Sequence, residues 1–211
     1  MSSLTRISIT RHGEGEHNLR TTHFQGRAPT AGLTATGHEQ ARRLGQRLLA
    51  EQADLPSMPI THLVCSSLLR TTQTAQEIGT LLGQTPEGDD AFWELSKGEW
   101  EGVMPINAVP EPEAQALAAD PFGFRYPGGE SYEDVWRRTA PAFERWVRRA
   151  KGGRLLLVLH GDVIRALLYH ILRFPPTKIG DFHLDPCSLT EFRQEGERLV
   201  MLSCNDTAHL R

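Results

Sequence analysis

The sequence contains few cysteines, and their spacing matches no common cysteine motif. Its 211 residues include only Cys65, Cys187 and Cys204, and no two of these form a C-x-x-C pair. Three unpaired cysteines fit neither a disulfide framework nor a zinc knuckle. We therefore expect a reduced, cytoplasmic protein.

Long hydrophobic runs are missing as well. The longest uninterrupted apolar run, Leu155–Leu159, has the length of a strand, whereas a membrane-spanning helix needs about 20 apolar residues. The N-terminal residues enter a strand pattern directly and show no apolar segment typical of a signal peptide. The sequence thus predicts a soluble protein without a membrane partner.

Neither sign of charge is in marked excess, since 23 Lys and Arg stand against 26 Asp and Glu. No basic block stands out, so nucleic acid is not expected as a partner. Hydrophobic residues make up 39% of the chain, and a core of this size needs no structural metal. We predict one domain over residues 1–211, for which a homodimer is an open alternative.

What the sequence does contain is a regular alternation of strand and helix patterns. Strands are predicted at 5–11, 60–65, 155–159, 188–193 and 198–204, and helices at 34–51, 67–82, 131–149 and 163–172. The segment 86–130 is rich in proline and glycine, which indicates a lid or substrate wall with one short helix near Glu113–Ala119. This order favours a three-layer α/β/α domain with a mostly parallel sheet.

Charged and imidazole side chains follow the three most strand-like segments. The strands lead into Arg11-His12, into Ser66-Ser67 before Arg70, and into His160-Gly161. Ligands of such sheets bind beyond the carboxyl ends of the strands, so we expect these groups to meet at one edge. Arginine binds phosphate oxygens and a neutral imidazole can attack phosphorus. Any one of these residues alone could be structural or solvated, but together they favour a phosphoryl-transfer site.

Six motifs in order along the chain carry a resemblance to a known family. They are Arg11-His12-Gly13-Glu14 with Asn18, Gln25-Gly26 with Leu33–Ala41, Ser66–Ala75, Glu94–Gly102, Pro127–Ser131 and His160–Arg165. This series resembles the signature of the histidine phosphatase (phosphoglycerate mutase-like) superfamily. The resemblance implies the same α/β fold and a phosphohistidine mechanism.

The resemblance also implies a role for each matched residue. His12 would be the nucleophile and Glu94 the general acid, while Arg11, Asn18, Arg70 and His160 would hold the phosphoryl oxygens. The other substrate-binding positions would be Gln25, Gly26, Gly161, Tyr132 and Arg165. Because guanidinium groups provide the positive charge, neither a metal nor another cofactor is expected.

Two residues depart from the family pattern. Gly15 stands where the family usually has Ser or Thr, a change expected to loosen or re-space the phosphate loop slightly. Asp162 replaces a glycine directly after His160-Gly161. Its carboxylate either faces the pocket, where it would oppose a second phosphate, or caps the following helix.

Other functions fit the residues less well. Four residues separate Cys65 from Arg70, one fewer than a cysteine phosphatase loop requires. The Gly13–Asn18 segment lacks the third glycine of a dinucleotide-binding loop. His17 and His23 lack metal-ligand spacing and are expected at the pocket rim or in solvent. A non-catalytic phosphate-binding module would not need the complete catalytic set that is present.

Within the family, the short chain and the acidic lid favour a phosphatase for a small, singly phosphorylated metabolite over a phosphoglycerate mutase. Residues 124–134 also resemble the bisphosphatase domain of fructose-2,6-bisphosphate enzymes, in which Tyr132 and Arg165 match substrate-contacting positions. However, residues 111–124 contain no basic side chain for a second phosphate. The lid aromatics either line the site or pack as core.

Overall fold

The computed structural model describes residues 4–19, 22–55 and 58–211, whose centre is a mixed sheet flanked by helices. The strands are β1 (Thr5–Arg11), β2 (Ile60–Cys65), β3 (Glu87–Gly88), β4 (Arg154–Leu159), β5 (Leu189–Glu195) and β6 (Arg198–Asp206). They lie in the order β3-β2-β4-β1-β5-β6. The first four are parallel, and β5 runs antiparallel to β1 and to β6. The predicted fold class is confirmed.

The described residues form five α-helices: α1 (Ala35–Asp54), α2 (Leu69–Leu82), α3 (Glu111–Ala119), α4 (Tyr132–Arg149) and α5 (Gly161–Leu172). All except α3, which has no buried residue, contribute to the cores on the two faces of the sheet. The continuously apolar β4 is buried along its whole length because both of its faces are covered. Leu155, Leu157 and Leu159 belong to the core that includes α4 and α5 residues. Leu156 and Val158 belong to the core shared with α1 and α2.

The helix ends follow local capping chemistry. Thr34 accepts a hydrogen bond from the Gly37 amide at the start of α1, and Ser131 forms a capping box with Asp134 at the start of α4. Gly83 ends α2 in the left-handed conformation. The predicted starts of α2 and α5 were each wrong by two residues, α2 beginning later and α5 earlier.

The segment 86–130 contains more regular structure than the single predicted helix. It holds the two-residue strand β3, α3 and three short 3-10 helices. Helix α3 starts at Glu111, ahead of the prediction, because Pro112 is tolerated in a first helical turn. Trp100 and Tyr126 are buried against each other with ring centroids 5.4 Å apart, so they pack as core. The role of the segment as a lid stays a prediction.

In the part of the chain that the structure describes, no helix has both the length and the apolar character needed to cross a membrane.

Candidate active site

The carboxyl ends of β1, β2 and β4 bring the predicted residues together. The amide of His12 donates to the carbonyl of Leu159, so the residues that follow β1 and β4 lie side by side. The loop after β1 is fixed by the Gly13 amide, which donates to Thr74 of α2. A side chain at Gly13 would collide with the Gly37 carbonyl, so glycine is required for this close approach.

His12 is buried and its protonation is set by its neighbours. Its Nδ1 lies 2.7 Å from the Gly13 carbonyl, which can only accept, so Nδ1 carries the proton. Nε2 therefore presents its lone pair and accepts from the Arg70 guanidinium at 3.3 Å. Burial, reinforced by the charges of Arg70 and Arg11, holds the pKa of His12 well below its usual range. The ring is a neutral imidazole whose unprotonated nitrogen is Nε2.

Arg70, in the first turn of α2, is completely buried behind His12. Its guanidinium also donates to the carbonyls of Gly26 and Arg27, at 3.2 and 2.6 Å. Burial lowers the pKa of Arg70 to about 10, which leaves it charged at neutral pH. Arg70 thus connects the nucleophile to the loop that carries Gln25 and Gly26.

Buried polar atoms without a hydrogen-bond partner are concentrated around His12. Among the described residues four such side-chain atoms occur, and three of them are Arg11 Nε, His17 Nδ1 and His160 Nδ1. The rings of His17 and His160 each lie 5.3 Å from the ring of His12. Unsatisfied buried groups are costly in native proteins and call for an explanation. A bound anion would satisfy N–H groups of this kind.

The other nitrogen of each flanking histidine is engaged. Asn18 Nδ2 lies 3.1 Å from His17 Nε2, and Ser66 Oγ lies 2.9 Å from His160 Nε2. Burial together with nearby Arg70 lowers the pKa of His17 to about 3 and that of His160 well below its usual range. Both rings are therefore neutral and add no charge to the site.

Arg11 and His17, which carry two of the unpartnered nitrogens, border a cavity of about 170 Å³ in front of His12. Its lining residues are Arg11, His12, His17, Asn18, Gln25, Gly26, Glu94, Gly161, Asp162 and Arg165. Several of them also line a wider cleft of about 490 Å³, together with Lys97, Phe24 and Ile106. Eight of the eleven predicted site residues thus line the inner cavity, while Arg70 and His160 contact or flank His12.

Glu94 faces the same cavity from the segment after β3. Its Oε1 accepts from the Leu95 amide at 2.8 Å, and its Oε2 lies 3.4 Å from the Asp162 amide. Burial, with the negative charge of Asp162, raises the pKa of Glu94 to about 7. A carboxyl group with this pKa can donate or accept a proton near neutral pH.

Asp162 forms a network with Lys97, Tyr132 and Arg165. Tyr132 Oη donates to Oδ1 at 2.5 Å and Arg165 Nη1 to the same oxygen at 2.8 Å, while Lys97 Nζ lies 3.1 Å from Oδ2. Burial favours the protonated acid, but the two cations outweigh it and hold the pKa of Asp162 far below its usual range. Tyr132, the remaining predicted site residue, therefore reaches the site through Asp162.

The helix-cap alternative for Asp162 was wrong. Helix α5 begins at Gly161 with His160 as its N-cap, and the His160 side chain makes no capping hydrogen bond. The carboxylate instead lines the cavity. The orientation of the Asp162 carboxylate is set by Lys97 and Tyr132, which lie on other elements of the fold.

The expectation that His17 lies at the rim or in solvent was also wrong in part, because its side chain is buried beside His12. Gly15 makes room for it, since a Cβ there would lie 2.7 Å from the His17 ring. The Gly15 amide donates to Asn18 Oδ1, which ties the two ends of this turn together. Lys97 is a second residue that sequence reasoning missed; the available signal was that it is the one basic residue of the Glu94–Gly102 motif.

Cys65 ends β2 with a buried thiol, and burial raises its pKa to about 12. A thiol with this pKa is not a nucleophile at neutral pH. The geometry therefore gives no support to the cysteine phosphatase alternative.

Comparison with solved structures confirms the architecture. A mycobacterial glucosyl-3-phosphoglycerate phosphatase matches 97% of this chain and 100% of its own with a TM-score of 0.83 at 24% identity. Phosphoserine phosphatase from Entamoeba histolytica, in complex with 3-phosphoglyceric acid, matches 98% and 100% with a TM-score of 0.82 at 24% identity. These likenesses show the fold.

Sequence comparison shows the family. The probable phosphoglycerate mutase GpmB of Yersinia enterocolitica is 33% identical, over 98% of this chain and 95% of its own length. The corresponding protein of Yersinia pestis is 32% identical over the same shares. The signature of the histidine phosphatase superfamily (branch 1) extends over residues 7–207. With this match over nearly its whole length, the chain belongs to the histidine phosphatase superfamily.

Proposed function

We propose that this protein is a metal-independent phosphomonoester hydrolase that acts on a small phosphorylated metabolite through a phosphohistidine intermediate. The observation that carries the proposal is the set of unpartnered buried nitrogens, Arg11 Nε, His17 Nδ1 and His160 Nδ1, around the unprotonated Nε2 of His12. A phosphoryl group in the cavity would receive hydrogen bonds from these nitrogens. Arg11 and Arg70 supply the positive charge that a metal ion supplies in other phosphatases.

In the first step, His12 Nε2 attacks phosphorus and the bond from phosphorus to the ester oxygen breaks. Arg70 gives up its contact with Nε2 and donates to a phosphoryl oxygen instead. The ring becomes positively charged as the P–N bond forms, and the Gly13 carbonyl on Nδ1–H stabilises that charge. Charge that spreads over the phosphoryl oxygens is held by preorganised donors, as in other phosphoryl-transfer sites.

Glu94 transfers the protons in this scheme. Its raised pKa keeps a large fraction protonated near neutral pH, so it donates a proton to the leaving alkoxide. The resulting carboxylate then takes a proton from water, and the water oxygen attacks phosphorus. The P–N bond breaks, phosphate leaves, and both His12 and Glu94 return to their starting states.

Relatives support both reactions of the family. The structural neighbours include phosphatases for glucosyl-3-phosphoglycerate and phosphoserine, whereas the curated relatives are named probable phosphoglycerate mutases. In a mutase the phosphohistidine passes its phosphoryl group to a second hydroxyl, which requires the cleft to hold a phosphorylated acceptor. We place hydrolysis first because Asp162 lines the cavity and already binds Lys97 and Arg165, two cations that a phosphorylated acceptor would otherwise meet. Cytoplasmic location and homodimer formation stay predictions.

The test is a screen of phosphorylated metabolites with the purified protein, run with and without a chelator. Hydrolysis should survive chelation. The phosphate trapped on the protein should be stable in alkali but not in acid, as expected of phosphohistidine, and it should lie on His12. Loss of activity in chelator, or phosphate trapped on another residue, would contradict the mechanism. Incubation with 3-phosphoglycerate distinguishes the reactions, since a phosphatase releases inorganic phosphate and a mutase forms 2-phosphoglycerate.

A further inference from the structure

The wall beside the phosphate cavity contains a charged network that the proposed mechanism does not use for bond breaking. Asp162 and Arg165 line the inner cavity, and Lys97 lines the wider cleft that shares residues with it. The leaving group of a phosphate ester bound at His12 must therefore lie next to these three side chains. Their charges decide which leaving groups fit.

Both cations of this wall are already engaged by a carboxylate of the protein itself. Lys97 Nζ lies 3.1 Å from Asp162 Oδ2, and Arg165 Nη1 donates to Oδ1 at 2.8 Å. Arg165 also donates through Nε to the Phe182 carbonyl. Lys97 is only 7% exposed, and its ammonium lies 4.1 Å from the centre of the Tyr126 ring. The pair is thus held in place by its surroundings.

The ionised side chains that line the two cavities, together with Arg70, balance the charge of one phosphate. Arg11 and Arg70 flank the phosphoryl position, and their two charges match a phosphate dianion. Lys97 and Arg165 are opposed by Asp162 and by Glu14, which also lines the cleft. With Glu94 protonated, a bound monophosphate leaves the site neutral. A second carboxylate or phosphate on the leaving group would give it a net negative charge.

A second anionic group would also have to compete with Asp162 for the same cations. Asp162 is part of the fold, so it loses no translational freedom when it binds Lys97 and Arg165, whereas a ligand carboxylate does. Like charges a few ångströms apart in a partly buried site repel strongly. Both effects act in the same direction.

We infer that Asp162 is a specificity-determining residue that selects against substrates whose leaving group carries a second negative charge. The inference rests on the proposed function and names its substrate class: phosphomonoesters with a neutral or cationic leaving group. In this arrangement the protein's own carboxylate occupies the position at which a substrate carboxylate would otherwise meet Lys97 and Arg165.

The test compares two substrates that differ in one group. Glycerol 3-phosphate and 3-phosphoglycerate both release an alkoxide that Glu94 must protonate, but only the second carries a carboxylate. The measured quantity is the ratio of kcat/KM for 3-phosphoglycerate to that for glycerol 3-phosphate. Effects on the general acid or on folding change both values alike, so they largely cancel in the ratio.

Replacement of Asp162 by its neutral isostere, Asp162→Asn, should raise this ratio at least about tenfold, equivalent to about 1.4 kcal/mol. Glu16→Gln is the matched control, because it removes one negative charge from an exposed position at a neighbouring pocket, where no cation among the described residues pairs with it. The control should leave the ratio within about twofold of the wild type. An Asp162→Asn ratio that stays within that range overturns the inference.

Lys97→Met changes the charge of the wall in the opposite direction. It tests the inference on its own if Asp162→Asn does not fold, as judged by circular dichroism. It leaves Asp162 bound to Arg165 and Tyr132 but makes the wall more negative, so the ratio should fall. An unchanged or higher ratio overturns the inference. The proposed function fails in a different way, namely if the wild type hydrolyses neither substrate nor 4-nitrophenyl phosphate and forms no phosphohistidine.

Discussion

The two sides of the cavity in front of His12 differ in how their polar groups are satisfied. On the side of β1 and β4, the nitrogens Arg11 Nε, His17 Nδ1 and His160 Nδ1 are buried without partners. On the side of the segment after β3, Lys97 and Asp162 form an ion pair, and Asp162 has two further donors. We call the first the incomplete side, because its buried nitrogens lack partners within the protein. We call the second the complete side, because its charged groups pair with one another.

This difference separates binding from selection. Unsatisfied buried polar groups lower the free energy of unfolding of the ligand-free protein. An anion that binds these groups restores this stability. A satisfied network gains nothing from a ligand and instead limits which ligand can approach. Substitutions on the incomplete side should therefore change rate and anion affinity, and substitutions on the complete side should change substrate preference.

The largest effect is expected from His12→Ala, which removes the nucleophile from the incomplete side. The kcat for 4-nitrophenyl phosphate should fall at least ~10³-fold. Steady-state kinetics measures the loss, and Cys65→Ser is the control because its thiol is buried and protonated. Retained activity in His12→Ala would sink the mechanism, and an inactive Cys65→Ser would revive a cysteine nucleophile.

Glu94 lies between the two sides, and its substitution should separate two kinds of substrate. Glu94→Gln keeps an acceptor for the Leu95 amide but has no proton to donate. We expect kcat for alkyl phosphates to fall about 10²-fold, whereas 4-nitrophenyl phosphate, whose leaving group needs no proton, should lose less than about tenfold. Equal losses on both substrates would instead indicate a role only in water activation or folding.

Anion binding should reveal the incomplete side directly, without turnover. Inorganic phosphate at about 100 times its Kd should raise the free energy of unfolding by about 2.7 kcal/mol. Arg11→Gln should lose most of this stabilisation, while Glu16→Gln should keep it. Thermal unfolding at increasing phosphate concentration measures the effect. Equal stabilisation of both variants would place the anion elsewhere.

The sequence was sufficient to predict Arg11, His12 and His160 on the incomplete side, but not His17. Arg11, His12 and His160 directly follow strands, and the carboxyl ends of parallel strands meet at one edge, so local patterns alone indicated their convergence. The family resemblance added Glu94, which no periodicity would have selected. Helix starts were less accurate, because residues around Ser67 and Gly161 have no side-chain cap that marks the boundary.

The complete side could not be predicted in the same way. Lys97 and Asp162 are distant in sequence and meet only because the segment after β3 packs against the start of α5. On the incomplete side, the burial of His17 depends on the missing side chain of Gly15, from which the sequence predicts only a loosening or re-spacing of the loop. Both features are tertiary consequences of pairs of residues, and neither residue of a pair carries the signal by itself.

The smallest expected effect concerns the cost of keeping the incomplete side neutral. Burial and the neighbouring Arg70 lower the pKa of His17 to about 3, so the folded protein does not take up the proton that the unfolded chain binds below its ordinary pKa of about 6.5. Because the folded pKa is the lower one, stability is complete above pH 6.5 and falls as the pH decreases toward 3. His17 alone contributes up to about 1.4 kcal/mol per pH unit to this slope.

His17→Asn should therefore show a shallower loss of stability between pH 6 and 5, measured by urea unfolding. The raised pKa of Glu94 acts with the opposite sign but is common to both proteins, and His183→Asn, at an exposed histidine, should keep the wild-type slope. A His17→Asn slope equal to that of the wild type would mean that this ring takes up its proton in the folded protein and that the cavity tolerates a further positive charge.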